Sequence, residues 1–238
     1  MNKFNDIYLD LESAILNQDY QSGDLLPSEN DLAKSYNVSR ETIRKALVLL
    51  LESGYIQKIQ GKGSVVLNTQ RLNFPVSGLT SYRELQSSQH INSKTILVQN
   101  TKRKIPAAIA KQLRLPESTE AHFVERLRQV NGESIILDKD YLLTSVIPDL
   151  PDAEAELSLF HYIEQKLGLI IGYAQKEFTV EPATKEDKQL MDLTNDTHVV
   201  VVRSSVYLED TTFFQYTESR HRLDRFKFVD FARRRGPA

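Results

Sequence analysis

Two arginines spaced four residues apart are the first side chains whose spacing points to chemistry. Arg40 and Arg44 lie in the stretch SRETIRKAL, with Thr42 between them and apolar residues in the gaps. On a helix this spacing puts both guanidinium groups on one face. A guanidinium can bind O6 and N7 of guanine as a fork, which gives about 1–3 kcal/mol of base discrimination. The alternative is an ordinary amphipathic helix whose polar face contacts only water.

Three short helices are predicted around these arginines. Apolar residues recur at helical spacing over residues 4–18 and predict the first helix. Ser28 is suited to cap a second helix. Ser39 is suited to cap the third, which should end near Gly54 because glycine is common just past a helix. The arginines therefore lie in the first turns of the third helix.

Two predicted strands follow the third helix and favour DNA binding over the plain amphipathic helix. The strands are Tyr55–Gln60 and Ser64–Leu67, joined across Gly61-Lys62-Gly63. Three helices and a two-stranded wing form a winged helix-turn-helix domain, whose third helix enters the major groove. Ser28 and its helix N-terminus could then hold a phosphate, and Lys62 could reach a phosphate or the minor groove.

A second pair of arginines, Arg126 and Arg128, alternates along a predicted strand and so shares one face of it. Two adjacent guanidinium groups repel each other, which is tolerable where an anion lies between them. The alternative is a pair of solvent-exposed arginines. A two-residue turn at Asn131-Gly132 would pair Arg126 with Leu137 and send Asp138 to the opposite face. A three-residue loop with a glycine bulge would bring Asp138 to the arginine face, and both registers stay open.

The composition is that of a globular protein with a buried core. The chain has 238 residues and a formal net charge of -2, and 40% of its residues are hydrophobic. Residues 38–64 carry a local charge of +3, the footprint expected of a DNA-binding face. The acidic N-terminus does not resemble a signal peptide and no window is long enough to span a membrane, which predicts a cytoplasmic protein.

No catalytic or metal-binding pattern is present. The chain has no cysteine, and its five histidines show no paired ligand spacing. It also lacks a G-x-S-x-G elbow, a Walker loop and a G-x-G-x-x-G motif. We therefore predict neither an enzyme nor a bound cofactor or metal.

The remaining two thirds predict an α+β domain on an antiparallel sheet. We predict a DNA-binding domain over residues 1–68, a linker over 69–75 and a second domain over 76–238. A helix is predicted over residues 157–167. On the last hairpin Gln215, Ser219 and His221 share a face, and such a polar face suits a polyhydroxylated anion. The basic C-terminal run, residues 220–235, could form a second nucleic-acid patch. We favour the alternative, in which its charges stay in solvent while its phenylalanines pack inward.

The stretch LPSENDLAKSYNVSRETIRKALVLLLESGYIQKIQGKGSVV resembles the N-terminal domain of GntR-family bacterial transcription regulators. The family pattern runs LPSE, then SR.T.R.AL..L...G, then G.G. The resemblance implies DNA contacts by ten residues: Ser28, Glu29, Asn30, Ser39, Arg40, Thr42, Arg44, Gln60, Gly61 and Lys62.

The rest of the chain resembles the UTRA effector domain of the HutC-type branch, whose fold is similar to chorismate lyase. The runs FPVSGLTSYRE, ILDKDYLL and GYAQKEFTVEP carry this resemblance. In related sugar-phosphate-responsive members a hydroxyl-rich loop binds phosphate, which implies a phosphate site at Thr80, Ser81, Arg126, Arg128 and Ser158. The sugar-side positions implied are Asp138, Phe160, Gln215 and His221, and this favours the bulged hairpin.

The resemblance to one member of this branch implies a homodimeric repressor that binds a near-palindromic operator and is released by trehalose 6-phosphate. Three alternatives stay open. The second domain could process a sugar phosphate as an enzyme, although fold alone does not carry function. The effector could be a different sugar phosphate. The winged helix could contact only protein.

Overall fold

The computed structural model of the chain describes residues 3–67, 79, 81–88 and 92–228. These residues divide between two compact units: residues 3–67 lie in the N-terminal unit and residues 79–227 in the C-terminal unit. The predicted linker, residues 69–75, lies outside the described residues.

The N-terminal unit contains three helices: α1 (Lys3–Leu16), α2 (Glu29–Ser35) and α3 (Arg40–Glu52). Ser28 and Ser39 cap α2 and α3, as predicted, because each side-chain oxygen accepts a backbone N–H three residues further on. Apolar side chains spaced three and four residues apart on the helices build one core, which includes Ile7, Leu11, Ile15, Leu32, Ile43, Ala46, Leu47 and Leu50.

A two-stranded hairpin completes the N-terminal unit. Strands β1 (Ile56–Ile59) and β2 (Gly63–Val66) pair antiparallel, from Ile56 opposite Val66 to Ile59 opposite Gly63. Gly61 and Gly63 have φ angles of +78° and +111°, which residues with a side chain rarely adopt. The predicted order of three helices and a wing is confirmed.

The C-terminal unit is built on a six-stranded antiparallel sheet with the strand order β3-β4-β5-β8-β7-β6. The strands are β3 (Ser93–Lys104), β4 (Glu120–Val130), β5 (Glu133–Leu143), β6 (Ile171–Pro182), β7 (His198–Leu208) and β8 (Phe213–Arg222). The helices are α4 (Tyr82–Ser88), α5 (Ala107–Gln112), α6 (Asp152–Leu157), α7 (Leu159–His161) and α8 (Lys185–Leu190). The predicted α+β fold is therefore confirmed.

Both faces of this sheet carry a hydrophobic core. On the first face, Val124 and Leu142 pack with Ala155 of α6 and Leu159 of α7. On the second face, one cluster gathers Phe123, Tyr141 and Tyr216 around α5. Another gathers Leu127 and Leu137 with Met191 and Leu193 after α8. Because side chains alternate along a strand, Arg126 and Arg128 lie on the first face with Val124.

The β4–β5 hairpin has a register that neither sequence alternative describes fully. Asn131 and Gly132 form a two-residue turn with φ angles of +53° and +87°. The register shifts within the strands, however, where Arg128 is opposite Ile136 and the next pair is Gln129 with Ser134. The bulge thus lies in β5 rather than in the loop, and it places Asp138 directly opposite Arg126.

The helix predicted over residues 157–167 is present, but it begins two residues later, at Leu159, and runs to Lys166. Helix α6 ends at Leu157, and Ser158 adopts an extended conformation with φ -174° and ψ 117°. Its side chain then accepts the His161 N–H and begins α7, which continues into a π-helical turn at Tyr162–Lys166. Ser158 separates α6 from α7, because its hydroxyl gives the backbone a local alternative to helical hydrogen bonds.

The basic run at the C-terminus matches its prediction only in part, because Arg225 and Lys227 are exposed but two other arginines are not. Arg220 and Arg222 are only 4% and 2% exposed. Arg220 pairs with Asp187 at 2.8 Å, and Arg222 pairs with Asp224 at 2.6 Å. Phe228, predicted to pack inward, is 51% exposed. Each of these buried arginines is paired with a carboxylate of the same unit, which offsets part of the cost of burying its charge.

Candidate nucleic-acid interface and ligand-binding site

Arg40 and Arg44 lie on the exposed side of α3, in its first two turns. Ser39 Oγ accepts the Thr42 N–H at 3.2 Å and lies 2.9 Å from Thr42 Oγ1, which fixes the first turn. Ile43 is fully buried and anchors the inner side of α3. The Arg40 and Arg44 side chains are 61% and 49% exposed. Both guanidinium groups are therefore accessible to a DNA groove.

The other predicted DNA contacts are also on the surface of the N-terminal unit. Ser28 Oγ accepts the Asp31 N–H at 3.2 Å and donates to Asp31 Oδ2 at 2.6 Å. Asn30 is exposed on α2, and residues 60–62 form the exposed tip of the β1–β2 hairpin. Because Asp31 already engages the Ser28 hydroxyl, a phosphate at this cap would compete with that carboxylate.

Glu29, the first residue of α2, connects α3 to the wing. Its Oε1 accepts a hydrogen bond from Lys58 Nζ at 2.9 Å. Its Oε2 lies 3.4 Å from Arg44 Nη2 and 3.9 Å from Arg40 Nη2. The hydrogen bond from Lys58 is the main cause of a lowered pKa at Glu29, and it outweighs the effect of burial. Lys58 was not among the predicted site residues, since only the fold brings β1 next to α2.

The second arginine pair is buried on the first face of the C-terminal sheet. Arg126 and Arg128 are 5% and 4% exposed, so the alternative of solvent-exposed arginines is wrong. Arg126 Nη2 donates to Asp140 Oδ2 at 2.6 Å, and Arg128 Nε donates to Asp138 Oδ2 at 2.8 Å. Arg128 also donates to Thr95 Oγ1 at 2.6 Å. Each guanidinium thus has its own carboxylate on the neighbouring strand.

These carboxylates supply the negative charge that the arginine pair requires. Burial lowers the pKa of Arg128, and Arg126 beside it acts in the same direction. Burial alone would raise the pKa of Asp138, but Arg128 and Arg126 together hold it below its usual value. The two ion pairs are formally neutral and add no net charge to the interior of the unit.

Side chains of β8 extend this network across the sheet. Gln215 Nε2 and Thr217 Oγ1 each donate to Asp140 Oδ1 at 2.7 Å. Ser219 donates to Asp138 and lies 3.0 Å from His221 Nε2. We call this group the polar cluster; its members are Arg126, Arg128, Asp138, Asp140, Gln215, Thr217, Ser219 and His221.

His221 makes stability depend on pH in the mildly acidic range. Burial lowers the pKa of His221 to about 4, whereas an unfolded histidine titrates near about 6.5. As the pH falls between these values the unfolded state takes up a proton that the folded state does not, so the protein loses stability. We expect His221→Asn to reduce that loss by up to about 2–3 kcal/mol, measured by urea unfolding at pH 7 and pH 4.5. Equal losses in the two proteins would contradict this.

A separate cleft of about 600 Å³ opens beside the start of α4 and α7. It is lined by Ser81, Arg83, Glu84, Ser158, His161, Glu164 and Gln165. Tyr82, next to Ser81 in sequence, places its ring 4.6 Å from the Arg128 guanidinium carbon. Arg126 Nη1 donates to the Ala155 carbonyl of α6 at 3.1 Å. The polar cluster therefore contacts α4, which lines the cleft, and α6, which ends just before the lining residue Ser158.

Family models match both units of the chain. The model for bacterial regulatory proteins of the gntR family matches residues 3–66, and the UTRA domain model matches residues 88–227. The chain belongs to the gntR family of bacterial regulatory proteins. This gntR protein is thus a DNA-binding transcriptional regulator whose C-terminal unit carries a UTRA domain. As in other members, its partners are operator DNA and a small-molecule effector.

Similar proteins are known for the whole chain of this gntR regulator. It is 50% identical to the HTH-type transcriptional regulator TreR of Bacillus subtilis, with 98% of each chain covered. The crystal structure of the possible regulator YydK from Bacillus subtilis matches with a TM-score of 0.80 and 26% identity, covering 98% of this chain and 100% of that one. The effector-binding domain of the Bacillus subtilis trehalose repressor matches with a TM-score of 0.55 and 50% identity, covering 60% and 99%.

The predicted effector residues of this gntR regulator fall into two neighbouring groups. Arg126, Arg128, Asp138, Gln215 and His221 belong to the polar cluster, whereas Ser81 and Ser158 line the cleft. Phe160 is half-buried against the first-face core, and Thr80 lies outside the described residues. Asp140 of the polar cluster and Arg83 of the cleft were not among the predicted residues. Asp138 and Asp140 repeat the two-residue spacing of the arginines, a signal that becomes readable once the register is known.

Neither a metal-binding cluster nor a membrane-spanning helix is present in the described ranges. Residues 3–67, 79, 81–88 and 92–228 contain no group of three or more histidine, aspartate or glutamate side chains able to hold a metal ion. Within these same ranges, no helix combines the length and apolar character needed to cross a bilayer.

Proposed function

We propose that this protein represses a trehalose uptake or utilisation operon and leaves its operator when trehalose 6-phosphate binds to the C-terminal unit. The main support is the 50% identity to TreR of Bacillus subtilis over 98% of both chains. A second support is the solved effector-binding domain named as that of the trehalose repressor, which is also 50% identical to this chain.

Operator recognition in this proposal is carried by α3 and the wing. The exposed Arg40 and Arg44 read base edges in the major groove with Thr42, and Lys62 at the hairpin tip binds a phosphate. In a homodimer, two copies of α3 enter successive major grooves about 34–36 Å apart, so the operator is a near-palindrome. Residues 1–68 form the DNA-binding domain and residues 76–238 the effector domain.

The polar cluster suits the sugar hydroxyls of the effector. It is formally neutral in its two ion pairs, so it has no excess charge to attract a phosphate. Within the part of the chain that the structure describes, two buried polar atoms of the cluster have no hydrogen-bond partner: Arg126 Nε, a donor, and Gln215 Oε1, an acceptor. A hydroxyl group can both accept and donate, so it satisfies either atom.

The phosphate of the effector binds in the cleft in this proposal. Ser81 and Ser158 present hydroxyl groups there, and Arg83 supplies a positive charge. Thr80 remains a predicted contact beside Ser81. Glu84 and Glu164 also line the cleft and repel an anion, so the phosphate must lie nearer to the serines. Arg126 and Arg128 are not among the residues that line the cleft, and they support the site indirectly through their contacts with Ala155 of α6 and with Tyr82.

A titration of operator DNA with and without sugar phosphates tests the proposal. The operator is first selected with the protein from a random duplex pool. We expect saturating trehalose 6-phosphate to weaken operator binding by about 5–150-fold, the usual range of allosteric coupling, and free trehalose to act far more weakly. Undiminished binding with trehalose 6-phosphate would contradict the proposal. Release by another sugar phosphate instead would favour the alternative effector.

The same samples test the enzyme alternative, which the similarity to transcriptional regulators does not favour. After incubation with the protein, the sugar phosphate should be recovered unchanged at every time point, because the proposed effector is bound and released without reaction. Time-dependent turnover that scales with protein concentration would support a sugar-phosphate-processing activity.

A further inference from the structure

One carboxylate in the N-terminal unit contacts three cations that face DNA in the proposed complex. The Glu29 side chain is 19% exposed, while those of Arg40, Arg44 and Lys58 are 61%, 49% and 57% exposed. The arginines come from α3 and the lysine from β1, so Glu29 joins the recognition helix to the wing strand. Its contacts range from 2.9 Å for Lys58 to 3.9 Å for Arg40.

A direct contact between Glu29 and a DNA phosphate, as the family resemblance implies, is disfavoured by charge. Two anions repel, and the lowered pKa of Glu29 keeps its carboxylate ionised near neutral pH. Both carboxylate oxygens already face cations of the same unit. Glu29 therefore contributes to DNA binding through its neighbours rather than through the duplex.

We propose that Glu29 is a positioning residue that holds Arg40, Arg44 and Lys58 in one arrangement before the operator binds, and so increases selectivity at the expense of overall affinity. The proposal rests on α3 reading the operator. A long side chain that is ordered in advance loses less conformational freedom on binding, and only a correct base sequence benefits from its fixed geometry. Glu29 also cancels one positive charge near the duplex, which weakens binding to any sequence.

The variant Glu29→Gln tests this, and Glu41→Gln is the matched control. Glu41 is 62% exposed and pairs at 3.0 Å with Arg44, so its replacement removes the same charge beside the same arginine. Arg40 and Lys58 keep their contacts to Glu29 in that control. Both variants should bind a scrambled duplex more tightly than the wild type. The slope of log affinity against log salt concentration should become steeper by at most the equivalent of about one phosphate contact.

The decisive measurement is the ratio of affinities for the selected operator and for a scrambled duplex of equal length, by fluorescence anisotropy at 50–200 mM salt. We expect Glu29→Gln to lower this ratio by about fivefold or more, since Arg40 and Lys58 then lose the carboxylate of Glu29 while Arg44 keeps only Glu41, and Glu41→Gln to change it by less than about twofold. An unchanged ratio in Glu29→Gln, or an equal fall in both variants, would overturn the proposal. A wild-type protein that selects no sequence would refute operator reading itself. Thermal unfolding of each variant verifies that the fold is kept.

Discussion

Replacing Arg44 with alanine is expected to lower operator affinity by at least about tenfold, because a forked contact to guanine gives about 1–3 kcal/mol of discrimination. The arginine lies in the second turn of α3 with its side chain 49% exposed, so its loss leaves no cavity in the core. Affinity for a scrambled duplex should fall much less, since the variant loses only the attraction between the positive charge of Arg44 and the phosphates. Anisotropy titrations with both duplexes measure the two effects.

Two further variants separate the fork of Arg44 from its charge. Arg44→Lys keeps the charge but cannot form the two parallel hydrogen bonds, so it should lose most of the selectivity as well. Lys45→Ala removes a positive charge from the neighbouring exposed position on α3, about 100° around the helix. Equal losses of operator affinity in Arg44→Ala and Lys45→Ala would show that Arg44 acts only through its charge.

The N-terminal unit was predictable because its signals are local. Ser28 and Ser39 are residue types that favour the N-cap position, and both form the expected caps. The turn at Gly61 requires a positive φ that its residue type provides. The contacts of Glu29 were not predictable, because they join residues that are 15 and 29 positions apart in the chain. Such pairings depend on how α2, α3 and β1 pack together.

The strand register of the C-terminal unit could not be predicted from local sequence signals. The hairpin turn at Asn131-Gly132 follows from its dipeptide, yet the register depends on the bulge in β5. Three consecutive apolar residues, Ile135, Ile136 and Leu137, are all buried, with exposures of 9%, 4% and 0%. Because both faces of this sheet carry a core, a regular strand would also have consecutive apolar residues here. The run therefore does not reveal the bulge, which depends on how the two faces of the sheet pack.

The polar cluster also explains why the arginine pair was difficult to interpret. From the sequence, the repulsion between Arg126 and Arg128 called for an anion, and a bound phosphate was one candidate. The fold supplies Asp138 and Asp140 in that place. In the proposed complex the effector meets a network that is already neutral, so its binding is expected to rearrange hydrogen bonds rather than fill a positively charged pocket.

Disrupting this network at Arg126 is expected to abolish the response to trehalose 6-phosphate while leaving operator binding intact. Arg126→Lys keeps a positive charge near Asp140 but loses the fork and the donor Nε. It should bind the operator within about twofold of the wild type, since none of the described DNA-facing residues lies in the C-terminal unit. Effector concentrations that release the wild type from the operator should fail to release the variant. The factor by which the effector weakens operator binding, compared between the two proteins, gives the lost coupling free energy.

Stability must be separated from signalling in this experiment. Arg126→Ala leaves Asp140 buried at 1% exposure without its cation, which costs about 3–5 kcal/mol. Arg203→Ala is a matched control: Arg203 of β7 pairs with Glu181 at 2.6 Å and Glu218 at 3.0 Å on the second face of the sheet. It should also lower the free energy of unfolding, yet the effector should still release it from the operator. Should Arg203→Ala lose the response as completely as Arg126→Lys, the effect would come from a weakened fold, and the polar cluster would have no specific part in binding the effector.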